Sequence, residues 1–189
     1  MFYYSLSNFL SMYFKNRKNQ TNLFLYVCLI VILLGCFLGY SLPSKIQAKH
    51  SEITNINISL FRIFIQNSFF AIALIIGAFT FNVLTICCCI FNGLIFGMYF
   101  KSSFINLGLE KTFALFIPHT LIEILWISLA IKLSYNIFCL FKIYVIKTSS
   151  LTRFGISVLK LKNQFLYIFF LIIIGCLVEY FITFKFLIK

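Results

Sequence analysis

Long apolar runs alternate with short polar stretches along this chain, and the apolar runs are long enough to cross a bilayer. The clearest run extends from Ile63 to Phe100 and contains no charged residue. As one helix it would be about 57 Å long at 1.5 Å per residue, whereas the hydrocarbon core of a bilayer is about 30 Å thick. The run therefore predicts two membrane-spanning helices joined by a hairpin, and we place the turn near Phe81-Asn82.

The pattern as a whole predicts an all-α fold, a polytopic membrane helix bundle with about five transmembrane helices. These helices form a single transmembrane domain over residues 21–189. The predicted spans are residues 21–42, 63–81, 84–100, 112–131 and 164–184.

Two further segments are amphipathic, and we do not expect them to span the membrane. Residues 1–20 are aromatic and basic, and their apolar part is too short to cross a bilayer, so we expect a cytoplasmic or interfacial N-terminal segment. Residues 132–162 carry six bases and no acid among apolar residues. This pattern is typical of a basic amphipathic segment that lies along the membrane. The alternative is that part of residues 133–146 extends the fourth span.

Composition narrows the class of protein. Hydrophobic residues make up 62% of the chain and charged residues 11%, whereas soluble domains have roughly 45–50% apolar and about 25% charged residues. The net charge of +12 does not indicate nucleic-acid binding, because the bases lie singly or in small groups between apolar runs. Such spacing is typical of loops that face lipid headgroups. We therefore expect membrane lipid, and no nucleic acid, as a partner.

The basic residues also predict an orientation. The flanks on the side of the N-terminus hold nine Lys and Arg residues, and the flanks on the other side hold seven. Since an excess of Lys and Arg marks the cytoplasmic loops, we expect the N-terminus to be cytoplasmic.

The sequence shows no pattern typical of catalysis or cofactor binding. Almost all of the seven cysteines lie inside apolar runs, without a C-x-x-C pair, and we interpret them as small packing residues. The chain has no G-x-S-x-G elbow, no Walker motif and no glycine-rich phosphate loop. We therefore expect no enzyme activity, no catalytic residue, no metal and no cofactor.

Three ionisable side chains lie inside predicted spans, where each costs roughly 2.5–3.5 kcal/mol on insertion scales. His119 and Glu123 are spaced i, i+4 and share one helix face, and Glu179 lies in the last span. Pro118 suits the first turn of a helix, so we expect a helix to open there beside a short re-entrant piece made from residues 112–117. His119 and Glu123 can then share a hydrogen bond or an ion pair.

The intramembrane polar cluster of His119, Glu123 and Glu179 has three interpretations. It can be a metal site, since three such ligands can make a zinc centre with an open position. It can line a proton or ion path. It can also be a buried hydrogen-bond clamp that fixes helix packing. We favour the clamp, because the chain has only two His and no Asp from which to build a ligand-rich site.

Small and amide side chains predict where the spans pack against one another. Two G-x-x-x-G patterns allow close helix contact. They are Gly35/Gly39 in the first span and Gly93/Gly97 in the third. Asn67 and Asn92 lie in apolar spans, where amide side chains seek partners on other helices.

The order of these residues resembles the stage II sporulation protein M family of bacterial membrane proteins. The residues that carry the resemblance are, in chain order, Asn67, Gly77, Asn92-Gly93, Gly97, Pro118-His119, Glu123 and Glu179. The most specific part is PHTLIE at residues 118–123, which is similar to the family's P-H-G-x-x-E signature, with Thr120 in place of the glycine. The resemblance extends over residues 60–184.

The resemblance implies a non-enzymatic, multi-pass component of a complex in the bacterial plasma membrane. The family's founding member acts in a complex that localises peptidoglycan-degrading enzymes during engulfment in sporulation, and similar proteins accompany bacteriocin export or immunity. The implied partners are other membrane proteins of a peptidoglycan-remodelling complex or an ABC-type exporter, and a second copy of the chain. The alternative is a small transporter or channel-like subunit in which His119, Glu123 and Glu179 line a proton or ion path.

Overall fold

The computed structural model describes residues 2–42, 60–147 and 151–187, and every regular element in these ranges is helical. The helices are α1 (Phe2–Ser41), α2 (Leu60–Ile76), α3 (Val83–Leu107), α4 (Leu109–Phe141), α5 (Leu151–Leu159) and α6 (Lys162–Leu187). A 3₁₀ turn, Gly77–Thr80, follows α2, and a π-helical turn, Lys142–Lys147, follows α4. Five of the helices are long and apolar enough to cross a membrane. The predicted fold class is therefore confirmed.

Two helices are longer than the sequence pattern predicted. The first is α1, which runs without a break from Phe2 to Ser41, so no turn separates the predicted N-terminal segment from the first span. The second is α4, whose span runs from Leu109 to Val145, as in the alternative that part of residues 133–146 extends the fourth span. Apart from Lys132, residues 124–141 are uncharged, and nothing in them ends a helix.

Lys132 therefore lies inside the fourth span instead of at the start of a membrane-lying segment. It is half-buried, and the flexible stem of lysine allows its ammonium group to reach toward a polar boundary. Of the predicted basic amphipathic segment, only α5 remains as a separate helix.

The turn between α2 and α3 lies where the sequence predicted it. Phe81 and Asn82 both adopt the left-handed conformation, with φ of 53° and 63°. Asn82 N–H donates to the Gly77 carbonyl at 2.8 Å, and asparagine is one of the few residues that tolerate this conformation. A Cβ on Gly77 would lie 2.7 Å from the backbone nitrogen of Thr85. Because Gly77 has no side chain, α2 and α3 can approach each other closely next to the turn.

Helices α1 and α3 form the most extensive contact in the bundle, and they meet at the two G-x-x-x-G patterns. A Cβ on Gly35 would lie 2.9 Å from the Ile90 carbonyl oxygen, and a Cβ on Gly93 would lie 3.0 Å from the Cα of Gly35. A Cβ on Gly97 would lie 2.9 Å from the carbonyl carbon of Cys36. These are backbone atoms of the facing helix, so no side chain could move aside to make room.

The residue pairs show that α1 and α3 run parallel. Gly93 faces Ile32 and Gly97 faces Cys36, so both helices advance by one turn in the same direction. At one end of the pair, Lys101 Nζ donates to the Leu42 carbonyl at 2.7 Å. This ammonium group satisfies a carbonyl left free at the end of α1.

Helix α4 lies at the centre of the bundle and contacts α1, α2, α3 and α6. Its Trp126 is almost fully buried and packs edge-on against Phe70 of α2, with ring centroids 5.9 Å apart. Its Tyr135 stacks on Phe24 of α1 at 5.1 Å. The five spans thus share one core.

Replacing Gly93 by Ala should destabilise the bundle by about 1–3 kcal/mol, because the added methyl group overpacks a contact between two backbones. Gly155→Ala is the matched control, since a Cβ at Gly155 meets nothing within 4 Å. Unfolding in mixed detergent and dodecyl sulfate micelles measures both variants. Equal stability of the two variants would contradict the close α1–α3 contact.

Candidate functional site

Two acidic side chains from different helices come together inside the bundle. Glu123 lies on α4 and Glu179 on α6, both are half-buried, and the two carboxyl groups are close enough to interact electrostatically. The helices touch at this level, because a Cβ on Gly175 would lie 3.5 Å from Cγ2 of Ile122. We call Glu123 and Glu179 the carboxyl pair.

Two other helices contribute side chains to the surroundings of the carboxyl pair. Cys36 of α1 lies within electrostatic range of Glu123, and Cys176 of α6 lies within range of Glu179. The Asn67 amide of α2 donates to Cys176 Sγ at 3.7 Å. The predicted interhelical role of Asn67 thus has a specific partner, and four helices converge near the carboxyl pair.

His119 is on the same helix as Glu123 but does not pair with it. Its Nδ1 lies 3.1 Å from the Leu115 carbonyl oxygen. A carbonyl only accepts, so Nδ1 carries the hydrogen, and in the neutral ring Nε2 is left as an acceptor. Among the residues that the structure describes, no hydrogen bond or ion pair joins His119 to Glu123. The predicted i, i+4 pairing is therefore not formed.

Pro118 lies inside α4 and does not begin a helix. The predicted re-entrant piece is therefore wrong, since residues 112–117 continue the same helix. Proline removes the N–H that would bond the Ala114 carbonyl, and membrane helices tolerate this loss when nearby groups satisfy the backbone. The His119 side chain bonds the carbonyl of the next residue, Leu115.

Within the described ranges, no group of three His, Cys, Asp or Glu side chains could hold a metal ion. The arrangement that exists is two half-buried carboxyl groups on contacting helices, close enough to interact electrostatically. Thr120 replaces the glycine of the signature and lies between His119 and Glu123 in the chain. Its hydroxyl is buried and has no hydrogen-bond partner among the described residues.

The remaining predicted packing residues lie on α3 and at the turn. Asn92 is half-buried beside Gly93, while Gly93 and Gly97 are buried against α1 and Gly77 is buried against Thr85. Each of these three glycines therefore lies at a contact between two helices.

A second polar group in the bundle was missed by the sequence analysis. Ser134 Oγ of α4 donates to Asn82 Oδ1 at 2.9 Å, and Thr85 Oγ1 donates to the Leu74 carbonyl at 3.0 Å. The two hydroxyls are 3.1 Å apart, and all three side chains are buried. This polar network joins the α2–α3 turn to the central helix. In the sequence, Thr85 and Ser134 are two of several hydroxyl residues in apolar stretches, and nothing distinguishes them from the others.

A family model for stage II sporulation protein M matches residues 24–184. The chain belongs to this family. The match begins in α1 and ends in α6, so it includes both G-x-x-x-G patterns as well as the signature residues on α4 and α6. No curated protein and no solved structure matches the chain.

Replacing Ser134 by Ala should lower the stability of the bundle by about 0.6 kcal/mol, the average for hydrogen bonds between membrane helices, and by no more than about 1.7 kcal/mol. Thr85→Val should have a similar effect, and the two changes together should cost less than their sum because they share one network. Unfolding in mixed micelles measures each variant. Ser41→Ala is the control, since Ser41 is exposed and bonds only its own helix. Strict additivity would argue against the network.

Proposed function

We propose that this chain is a non-enzymatic component of a complex in the bacterial plasma membrane, acting in cell-wall remodelling during engulfment or in bacteriocin export or immunity. The observation that supports the proposal is that most residues of the family signature lie at contacts between helices. Gly93 and Gly97 pack on α1, Gly77 packs on Thr85, and Asn67 bonds Cys176. Most of the signature thus builds a specific helix bundle, as an assembly component requires.

Partners of such a bundle would bind helix faces and bundle ends. The described part of the matched region consists of helices and short turns. Large side chains on the outward faces are well exposed, such as Phe69 at 72% and Phe91 at 64%. In a membrane these faces are available both to lipid and to the spans of another protein.

Purification of the tagged full chain from native membranes in mild detergent tests the proposal. We expect stable co-purification of membrane proteins, either with peptidoglycan-degrading enzymes or with an ABC-type exporter, and their identity decides between the two roles. Gly155→Ala should retain these partners, and Gly93→Ala should retain fewer because the bundle surface is altered. Recovery of no stable membrane partner would overturn the proposal.

The orientation that we propose has a cytoplasmic N-terminus. Lys132 lies inside α4, so it leaves the count of flanking bases, which changes from nine against seven to eight against seven. The proposal therefore relies on the stretch 142–162, which holds five of the eight bases and no acid. Alkaline phosphatase fused to the C-terminus should be active, and the same enzyme fused to the N-terminus should be inactive. The reverse result would overturn the orientation.

The second candidate function is a small transporter or channel-like subunit, and the carboxyl pair favours it. Ionisable side chains that face one another inside a bundle are typical of proton and ion paths. Glu123 and Glu179 are half-buried on contacting helices and interact electrostatically, and His119 lies one helical turn before Glu123.

Replacing Glu123 by Gln should abolish proton or cation flux into vesicles that contain the purified chain, since the amide cannot exchange a proton in the same way. Co-purification of partners should be unchanged. Glu110→Gln is the matched control, because Glu110 is exposed at the start of α4 and should leave flux unaltered. Flux that is the same in Glu123→Gln and the unmodified chain would remove this candidate.

A further inference from the structure

Helix α5 is anchored to one end of the bundle by aromatic contacts. The ring of Phe154 lies 6.0 Å from that of Phe141, at the end of α4, and 6.3 Å from that of Phe79, in the α2–α3 turn. The rings of Phe79 and Phe141 are themselves 5.7 Å apart. We call this end, formed by residues 77–82, 142–147 and α5, the turn end of the bundle.

The face of α5 that points away from the bundle is mainly apolar, with one exposed hydroxyl at Thr152. Leu151 is 70% exposed, Ile156 is 54% exposed and Leu159 is 69% exposed. Gly155 lies on the same face, since a Cβ there meets open space. One side of this short helix therefore packs on the bundle, and an adjacent apolar side has no cover within the described part of the chain.

Three exposed basic side chains lie in the segments on either side of α5. Lys142 directly follows α4, and Lys160 and Lys162 lie on either side of the tight turn between α5 and α6. The turn is closed by the bond from Leu161 N–H to the Val158 carbonyl at 2.9 Å. No acidic residue occurs between Glu123 and Glu179, so no intrachain ion pair along this stretch neutralises these ammonium groups.

We propose that the turn end of the bundle is a docking surface for anionic phospholipids. The exposed leucine and isoleucine side chains of α5 enter the boundary between headgroups and acyl chains, and Lys142, Lys160 and Lys162 contact the headgroup phosphates. A helix with one apolar side and adjacent bases binds a membrane interface through both contributions, and its binding depends on lipid charge.

The apolar face of α5 distinguishes between a phospholipid and a soluble polyanion as the ligand. Three exposed large aliphatic side chains on two to three helical turns gain nothing from a nucleic acid or a free phosphate, whereas acyl chains accept them. The charges alone would suit either ligand. The combination of both features on one nine-residue helix and its flanking turn fits a phospholipid surface.

Photocrosslinking of the full chain tests the proposal. Benzoylphenylalanine is placed at Leu159 and the protein is reconstituted in vesicles made of equal parts of phosphatidylglycerol and phosphatidylcholine. We expect phosphatidylglycerol adducts to exceed phosphatidylcholine adducts by about fivefold or more, because each base near an anionic surface contributes about a fivefold factor. Intact-mass analysis counts the two adducts, and raising the salt to about 1 M should reduce the excess.

Two double variants with the same change in charge provide the controls. Lys160→Gln/Lys162→Gln should strongly reduce the excess of phosphatidylglycerol adducts, since only Lys142 remains of the three bases. Arg62→Gln/Lys111→Gln removes two exposed bases from other parts of the bundle and should leave the excess intact. Gel filtration of each variant shows that the bundle is folded before crosslinking.

Several results would overturn the proposal. They are an adduct ratio equal to that of the vesicle in the unmodified chain, equal losses in the two double variants, crosslinks mainly to protein, and loss of the excess on addition of inorganic phosphate at constant ionic strength. The last result would identify a site for free anions instead of a lipid surface.

Discussion

The structure depends on how closely two parallel helices can approach inside lipid. Lipid tails are as apolar as the side chains of the helices, so no hydrophobic gain drives the spans together. Association has to come from van der Waals contact over short distances and from polar bonds between helices. Helices α1 and α3 obtain this contact through glycines, since any Cβ at Gly35 or Gly93 would collide with the backbone of the facing helix.

The arrangement of the other helices follows from this pair. Helices α1 and α3 run parallel, so α2, which lies between them in the chain, has to cross the membrane in the opposite direction. The turn at Phe81-Asn82, which joins α2 to α3, has to be tight. The polar network of Asn82, Thr85 and Ser134 then fixes that turn to the central helix α4. Helix α6 packs on the opposite part of α4 and brings Glu179 to Glu123. The acidic groups are thus held by a frame whose own contacts are nearly all uncharged.

The sequence was informative wherever the signal was local. Charge-free length predicted five spans, the glycine spacing predicted the close helix faces, and Phe81-Asn82 marked the turn. The sequence was uninformative where tertiary contacts determine the local structure. Pro118 has the local features of a helix start, yet a bundle can absorb a proline inside a helix. His119 and Glu123 have the spacing of a pair, but the Leu115 carbonyl is nearer to the imidazole. Ser134 was unremarkable in the sequence because a hydroxyl in a helix can bond its own backbone.

The parallel pairing of α1 and α3 also has a consequence for biosynthesis. The ribosome releases α1 first, but the helix that covers Gly35 and Gly39 emerges only after α2 has been made and has turned back. During that interval Gly35 and Gly39 of α1 have no helix packed against them. In a nascent chain that stalls before Gly97 emerges, these glycines would remain without their packing partner. The order of synthesis therefore makes the first span dependent on the third for its proper neighbour.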